Sequence, residues 1–156
     1  MERSGAMKLY WMAVLLVVGV FLVGCNPERV APAQPVAPTA TTDLEAADIA
    51  DKAIASMEAA LQGTDQDAMM KAAQQLDLAL GTLRSKLVAK DEAAEAAARK
   101  ENTPAPASVT SPFMAASGAS GALMGAVSAT PPDTATAKTL LAEVKGTVDA
   151  ARKALQ

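Results

Sequence analysis

Few residues in this chain are able to do chemistry. Of its 156 residues one is a cysteine, Cys25, and none is a histidine. A lone thiol closes no intramolecular disulfide and builds no zinc cluster of paired Cys or Cys/His ligands. A hydrolase triad would have to recruit a lysine or a carboxylate as its base, and no motif sets one beside a nucleophile. Three arrangements remain. The carboxylates Asp43, Glu45, Asp48, Asp51 and Glu58 crowd one short stretch, and Asp48 and Asp51 stand about a helical turn apart, close enough to share a cation. A solvated helix face is the plainer reading of that cluster. Met57, Met69 and Met70 offer soft sulfur ligands of the kind that hold Cu(I), although thioethers also fill gaps in helical cores. The third arrangement is the cysteine itself. The sequence has no glycine-rich phosphate loop, calcium loop or basic and aromatic nucleic-acid surface.

Cys25 closes a leader. Residues 1–8 carry Arg3 and Lys8, and from Leu9 to Val23 the sequence LYWMAVLLVVGVFLV has no charge, the layout of a secretory signal peptide. A helix from Leu9 to Gly24 would rise roughly 24 Å, short of the roughly 30 Å hydrocarbon core of a bilayer. At its end, Leu22-Val23-Gly24-Cys25 resembles the lipobox of bacterial lipoproteins: an aliphatic residue, a small or aliphatic one, a small one, then cysteine. The resemblance covers the leader alone. It implies that the Cys25 thiol receives a diacylglyceryl group, that a signal peptidase cuts between Gly24 and Cys25, and that the new amino terminus is acylated. Each buried methylene contributes about 0.8 kcal/mol, so two or three chains hold a protein on a bilayer far more firmly than one. The competing reading is an uncleaved single-pass anchor with an incidental cysteine. Position 26 is Asn, not the Asp that marks inner-membrane retention in enterobacteria-like lipoproteins, which favours the outer membrane in a host with two membranes.

Behind that anchor, residues 25–42 form a tether. The run NPERVAPAQPVAPTATT contains four prolines and almost no large side chain, so it packs no core and stays extended. A helical hairpin is expected over 43–100. Thr42-Asp43-Leu44-Glu45 is a capping-box pattern, and Ala47, Ala50, Ile54, Met57 and Leu61 step by 3 or 4 along the helix it opens. Gly63 offers a left-handed residue to close that helix and Thr64 a cap for the next. The second helix carries the most regular stripe of the chain, Met69, Ala73, Leu76, Leu80, Leu83 and Leu87, before fading into KDEAAEAAARKEN. A short turn makes the two antiparallel, which brings Asp43 and Glu45 near Arg84 and Lys86.

Residues 101–132 hold no charge beyond Glu101 and are interrupted by Pro104, Pro106, Pro112, Pro131 and Pro132. They read as a flexible Pro/Ala/Gly/Ser-rich spacer. Gly121 and Gly125 make a GxxxG pair inside the apolar stretch 113–127, which would suit a membrane helix, a linker, or a weakly apolar patch docking on the bundle or a partner. The segment 133–156 is a final helix, capped by Asp133 or Thr134, with Leu141, Val144, Val148, Ala151 and Leu155 on its stripe. The expected fold is therefore all-α: an antiparallel hairpin plus a C-terminal helix in a small, elongated, alanine-rich three-helix bundle with disordered linkers. None of the four aromatics, Tyr10, Trp11, Phe21 and Phe113, falls in an expected mature helix.

Loss of residues 1–24 would remove Arg3, Lys8 and Glu2, leaving 12 basic against 16 acidic side chains, a formal charge of −4. A net-negative chain lacks the field that gathers phosphate backbones, so nucleic acid is not an expected partner. The sequence points to a non-enzymatic lipoprotein of the bacterial cell envelope, facing the periplasm, with a structural or protein-interaction role through its helix stripes or by self-association. No cofactor is expected beyond the covalent lipid on Cys25. The alternative is a small ligand- or metal-binding envelope lipoprotein using Met57, Met69, Met70 or the acidic first helix. The small outer-membrane lipoprotein that staples the envelope to peptidoglycan is similar in being a lipidated heptad helix. It ends in the lysine that is cross-linked to the wall, whereas this chain ends in Leu155-Gln156.

Overall fold

Four helices follow one another in the computed structural model, which describes residues 36–156. The leader, Gly24, Cys25 and most of the tether lie outside the described residues. We label the helices α1 (Asp43–Ala60), α2 (Gln66–Glu101), α3 (Thr110–Ser128) and α4 (Thr134–Leu155). The all-α class expected from the sequence is the class observed. The helix count is not: the stretch read as a flexible spacer contains α3.

Local chemistry sets the helix ends. Thr42 and Glu45 form the reciprocal capping box: the Glu45 amide donates to the Thr42 hydroxyl at 3.1 Å, and the Thr42 amide donates to Glu45 Oε2 at 3.4 Å. The α1–α2 turn departs from expectation. Gly63 does not adopt a left-handed conformation, and 3₁₀-type bonds from the Gln62 and Gly63 amides to the Ala59 and Ala60 carbonyls finish the helix instead. Asp65, not Thr64, caps α2, accepting from the Asp67 and Ala68 amides. The left-handed residue sits at the other end of α2, at Asn102 with φ 52°, where the Thr103 amide donates to the Ala98 carbonyl. Asp133 caps α4 by accepting from the Thr136 amide at 3.0 Å.

The helices close a ring in which α1 packs on α2, α2 on α3, α3 on α4, and α4 on α1. Cross-links fix their directions. Lys86 approaches Asp43 at 4.0 Å, Gln66 reaches the Val127 carbonyl, Lys145 pairs with Glu58, and Lys90 donates to the Ala154 carbonyl. Together they describe an up-down-up-down four-helix bundle. The expected meeting of Asp43 with Lys86 occurs, whereas Glu45 is engaged by Thr41 and Thr42. All three expected stripes are buried. Because α1 lies between two neighbours, a further pair of alanines, Ala46 and Ala53, is buried beside its stripe. Small side chains there allow close helix approach at the expense of apolar area, of which each Å² contributes roughly 25 cal/mol.

The fourth wall of the core comes from α3. Phe113, Ala116, Ser120, Leu123 and Val127 step by 3, 4, 3 and 4 and are all buried. Transfer of Phe113, Leu123 and Val127 out of water contributes on the order of 1.5–3 kcal/mol each, which docks the helix without help from charge. Pro112 is tolerated because it lies in the first turn, where an amide has no intrahelical acceptor to lose.

Candidate functional site

Cys25 and Gly24, on which the lipidation reading rests, lie outside the described residues. The carboxylate cluster of α1 is inside them, and it is already occupied. Arg152 of α4 donates to Asp48 at 2.7 Å and also to Asp51, and both contacts favour the charged guanidinium, raising the Arg152 pKa. The two acids thus share a protein cation, and the pair ties α4 to α1. Lys145 and Glu58, 3.2 Å apart, repeat the connection two turns along. These side chains are substantially exposed, so each such pair is worth only about 0 to 1 kcal/mol and chiefly sets register.

Met57 and Met69 are fully buried on the packing faces of α1 and α2, and Met70 is half-buried against the same core. Their sulfurs fill apolar space beside the α1–α2 turn, as flexible thioethers do. Among the described residues no group of three or more His, Cys, Asp or Glu side chains is placed to hold a metal ion. A groove of roughly 440 Å³ lies between the end of α1 and the start of α4, edged by Glu58, Lys138 and Lys145. Leu61, Leu141 and Ala142 also line it, and the two leucines are each only 4% exposed.

The most constructed polar feature is one that the sequence did not disclose. Val109, the residue preceding α3, supplies no side-chain cap. Asp91 of the adjacent helix α2 does so: its carboxylate accepts from the Val109 amide at 2.9 Å, the Thr110 amide at 3.0 Å and the Ser108 hydroxyl at 2.6 Å. These bonds, the Ser108 hydroxyl foremost, hold the Asp91 carboxyl well below the usual carboxylate range. The Ser108 hydroxyl in turn accepts from the Ser111 amide at 3.1 Å. Close contact between a serine and a carboxylate invites a catalytic reading. However, a carboxylate stabilised in this way is a weak base, and the serine is spent on the helix end. Negative charge placed at the positive end of α3 is a structural use of Asp91.

Two more side chains of α2 hold α3. Gln66 Nε2 donates to the Val127 and Ala129 carbonyls, each at 3.1 Å, at the other end of the helix. Midway, the hydroxyl of Ser120, 1% exposed, donates to Asp77 at 3.2 Å. Within the sequence, the step pattern from Phe113 to Val127 was the available sign of α3. It was hidden by serine at its central position and by glycines around it.

None of the helices among the described residues is long and apolar enough to cross a membrane, which includes α3 and its GxxxG pair. The chain matches no protein-family model, no curated protein and no solved structure.

Proposed function

We propose that the chain is a lipoprotein of the bacterial cell envelope, anchored to a membrane facing the periplasm by acyl chains on Cys25, with its helical bundle acting as a non-enzymatic structural or protein-binding element. The single observation that carries this reading is Leu22-Val23-Gly24-Cys25 at the end of a basic start and an uncharged run. The bundle is consistent with such a role. Its conspicuous polar groups are engaged in helix caps and interhelical contacts, and its acidic helix is matched by Arg152 and Lys145. Asn26 favours the outer membrane where the host has two. Acylation at the head of a proline-rich tether would hold the bundle near the lipid while leaving its faces open to a protein partner or a second copy.

Fractionation of cells tests this assignment. Wild-type protein should sediment with membranes and resist salt extraction, while Cys25→Ser should be lost from the membrane fraction or accumulate as uncut precursor. In-cell cross-linking of the wild type should then capture an envelope protein or a second copy. Wild-type protein recovered free of membranes, or a Cys25→Ser variant indistinguishable from it, would contradict the reading.

A further inference from the structure

Three features set α3 apart from the other helices. First, its intrinsic helical tendency is poor: Gly118, Gly121 and Gly125 lie on its exposed side, where a Cβ at any of the three would meet nothing within 4 Å. Glycine there weakens the helix and gains no close packing inside the bundle. Second, the run from Asn102 to Pro132 has no charged residue, so α3 has neither the i,i+4 pairs nor the terminal charges that support an isolated helix. Third, the side-chain contacts at its two ends come from α2, through Asp91 at its start and Gln66 at its finish. The interhelical ion pairs, by contrast, join α1 to α2 and α4 to α1 and leave α3 out. Its flanking segments, 104–109 and 129–132, provide chain for movement, and opening costs the bond from the Asp133 amide to the Ala126 carbonyl at the start of α4.

We infer that α3 is a detachable wall of the bundle: it opens and melts as a unit while α1, α2 and α4 stay helical, and so uncovers the apolar sides of α2 and α4 on which it sits. Short helices lacking tertiary contacts are marginal in water, so undocking and unfolding of α3 are one event. Asp91 and Gln66 are the side-chain latches at its two ends, and opening also breaks the Ser120–Asp77 bond and the bond from the Asp133 amide to the Ala126 carbonyl. The three helices left behind are those with complete apolar stripes; α4 packs most extensively on α3, and what retains it is the burial of its stripe against α1, with Arg152 and Lys90 setting its register on α1 and α2.

Hydrogen–deuterium exchange on the full chain, read by mass spectrometry at neutral pH, tests this directly. Amides from Ala116 to Val127 should exchange faster than those in the middle of α1, α2 and α4, through an opening with weak denaturant dependence. Asp91→Ala should accelerate exchange over the whole of 116–127 several-fold and leave α1 and α4 unchanged. Gly121→Ala should slow it about fivefold, the effect of replacing glycine in an exposed helix interior. Equal protection in all four helices would overturn the inference, as would α3 and α4 exchanging as one block. Acceleration by Asp91→Ala confined to 110–113 would reduce the cap to a guard against fraying and would also overturn it.

Discussion

Helices α2 and α3 lie side by side and bury faces of the same periodicity, yet they are built on opposite principles. In α2 a continuous stripe of Met69, Ala73, Leu76, Leu80, Leu83 and Leu87 is buried, and the remaining surface intersperses charged residues with glutamine, alanine and serine. In α3 the stripe has Ser120 at its centre, and the outer face is glycine, alanine and serine with Pro112 and the exposed Met114 near its start. Asp65 starts α2 from within its own chain segment, whereas α3 is capped by Asp91 of its neighbour together with the local Ser108. One helix is specified mainly by its own segment and the other more by its surroundings, so similar burial is reached with very different intrinsic helix propensity.

That contrast can be broken most forcefully in the core. Leu83 and Leu123 are both fully buried, and a leucine-to-alanine change at such sites costs about 2 to 5 kcal/mol when the whole fold depends on it. Leu83→Ala should lower global stability in denaturant by an amount in that range. Leu123→Ala should lower it less, because the loss is limited to what docking of α3 contributes. Equal effects would mean that α3 belongs to the same cooperative unit as α2.

Glycine replacement sharpens the comparison from the other side. Gly81 in α2, like Gly118, Gly121 and Gly125 in α3, has open space where a Cβ would go, and none has positive φ. Each Gly→Ala change should stabilise its helix by roughly 0.5–1 kcal/mol. In α2 the gain should appear in the thermal midpoint of the whole protein. In α3 it should appear mainly as slower local exchange.

A smaller and pH-dependent effect is expected at Asp91. Its carboxyl is held below the ordinary value of 3.8 by the Ser108 hydroxyl and the Val109 and Thr110 amides. A group whose folded pKa is depressed contributes its stability above the unfolded value and loses it as pH falls through the folded value. Asp91→Asn should therefore weaken α3 at neutral pH, and its difference from wild type should shrink as pH drops below the ordinary value. A difference independent of pH would assign the role to hydrogen-bond geometry and not to charge.

The least effect belongs to Arg152. Its partners Asp48 and Asp51 are surface groups, so Arg152→Ala should cost no more than about 1 kcal/mol, and added salt should diminish even that in the wild type. A larger, salt-insensitive loss would show that the Arg152 side chain packs between α1 and α4 beyond its charge.

The legibility of this molecule follows the same division. Three stripes were readable because large apolar residues recur every three or four positions among charges, a pattern that only an amphipathic helix satisfies. Helix α3 was concealed because its outer face is as uncharged as its inner one, leaving no contrast between faces, and because prolines bracket it. Phe113 was the exception: a lone aromatic in an apparent spacer, and 2% exposed in the fold. The tertiary cap at Asp91 was illegible for a different reason. It joins residues 17 to 19 positions apart through a turn whose course depends on α3 having formed. Pairing of Asp48 and Asp51 with Arg152 likewise required the register of α1 against α4, which no local pattern supplies.

Everything proposed about where this bundle works depends on the chemistry of one sulfur. Intact-mass spectrometry of protein extracted from its native membrane, beside the Cys25→Ser variant, tests that most directly. The account predicts a mature chain beginning at Cys25 with the added mass of two or three acyl chains, and no such species for Cys25→Ser. A native chain that retains residues 1–24, or one with an unmodified thiol at position 25, would contradict it.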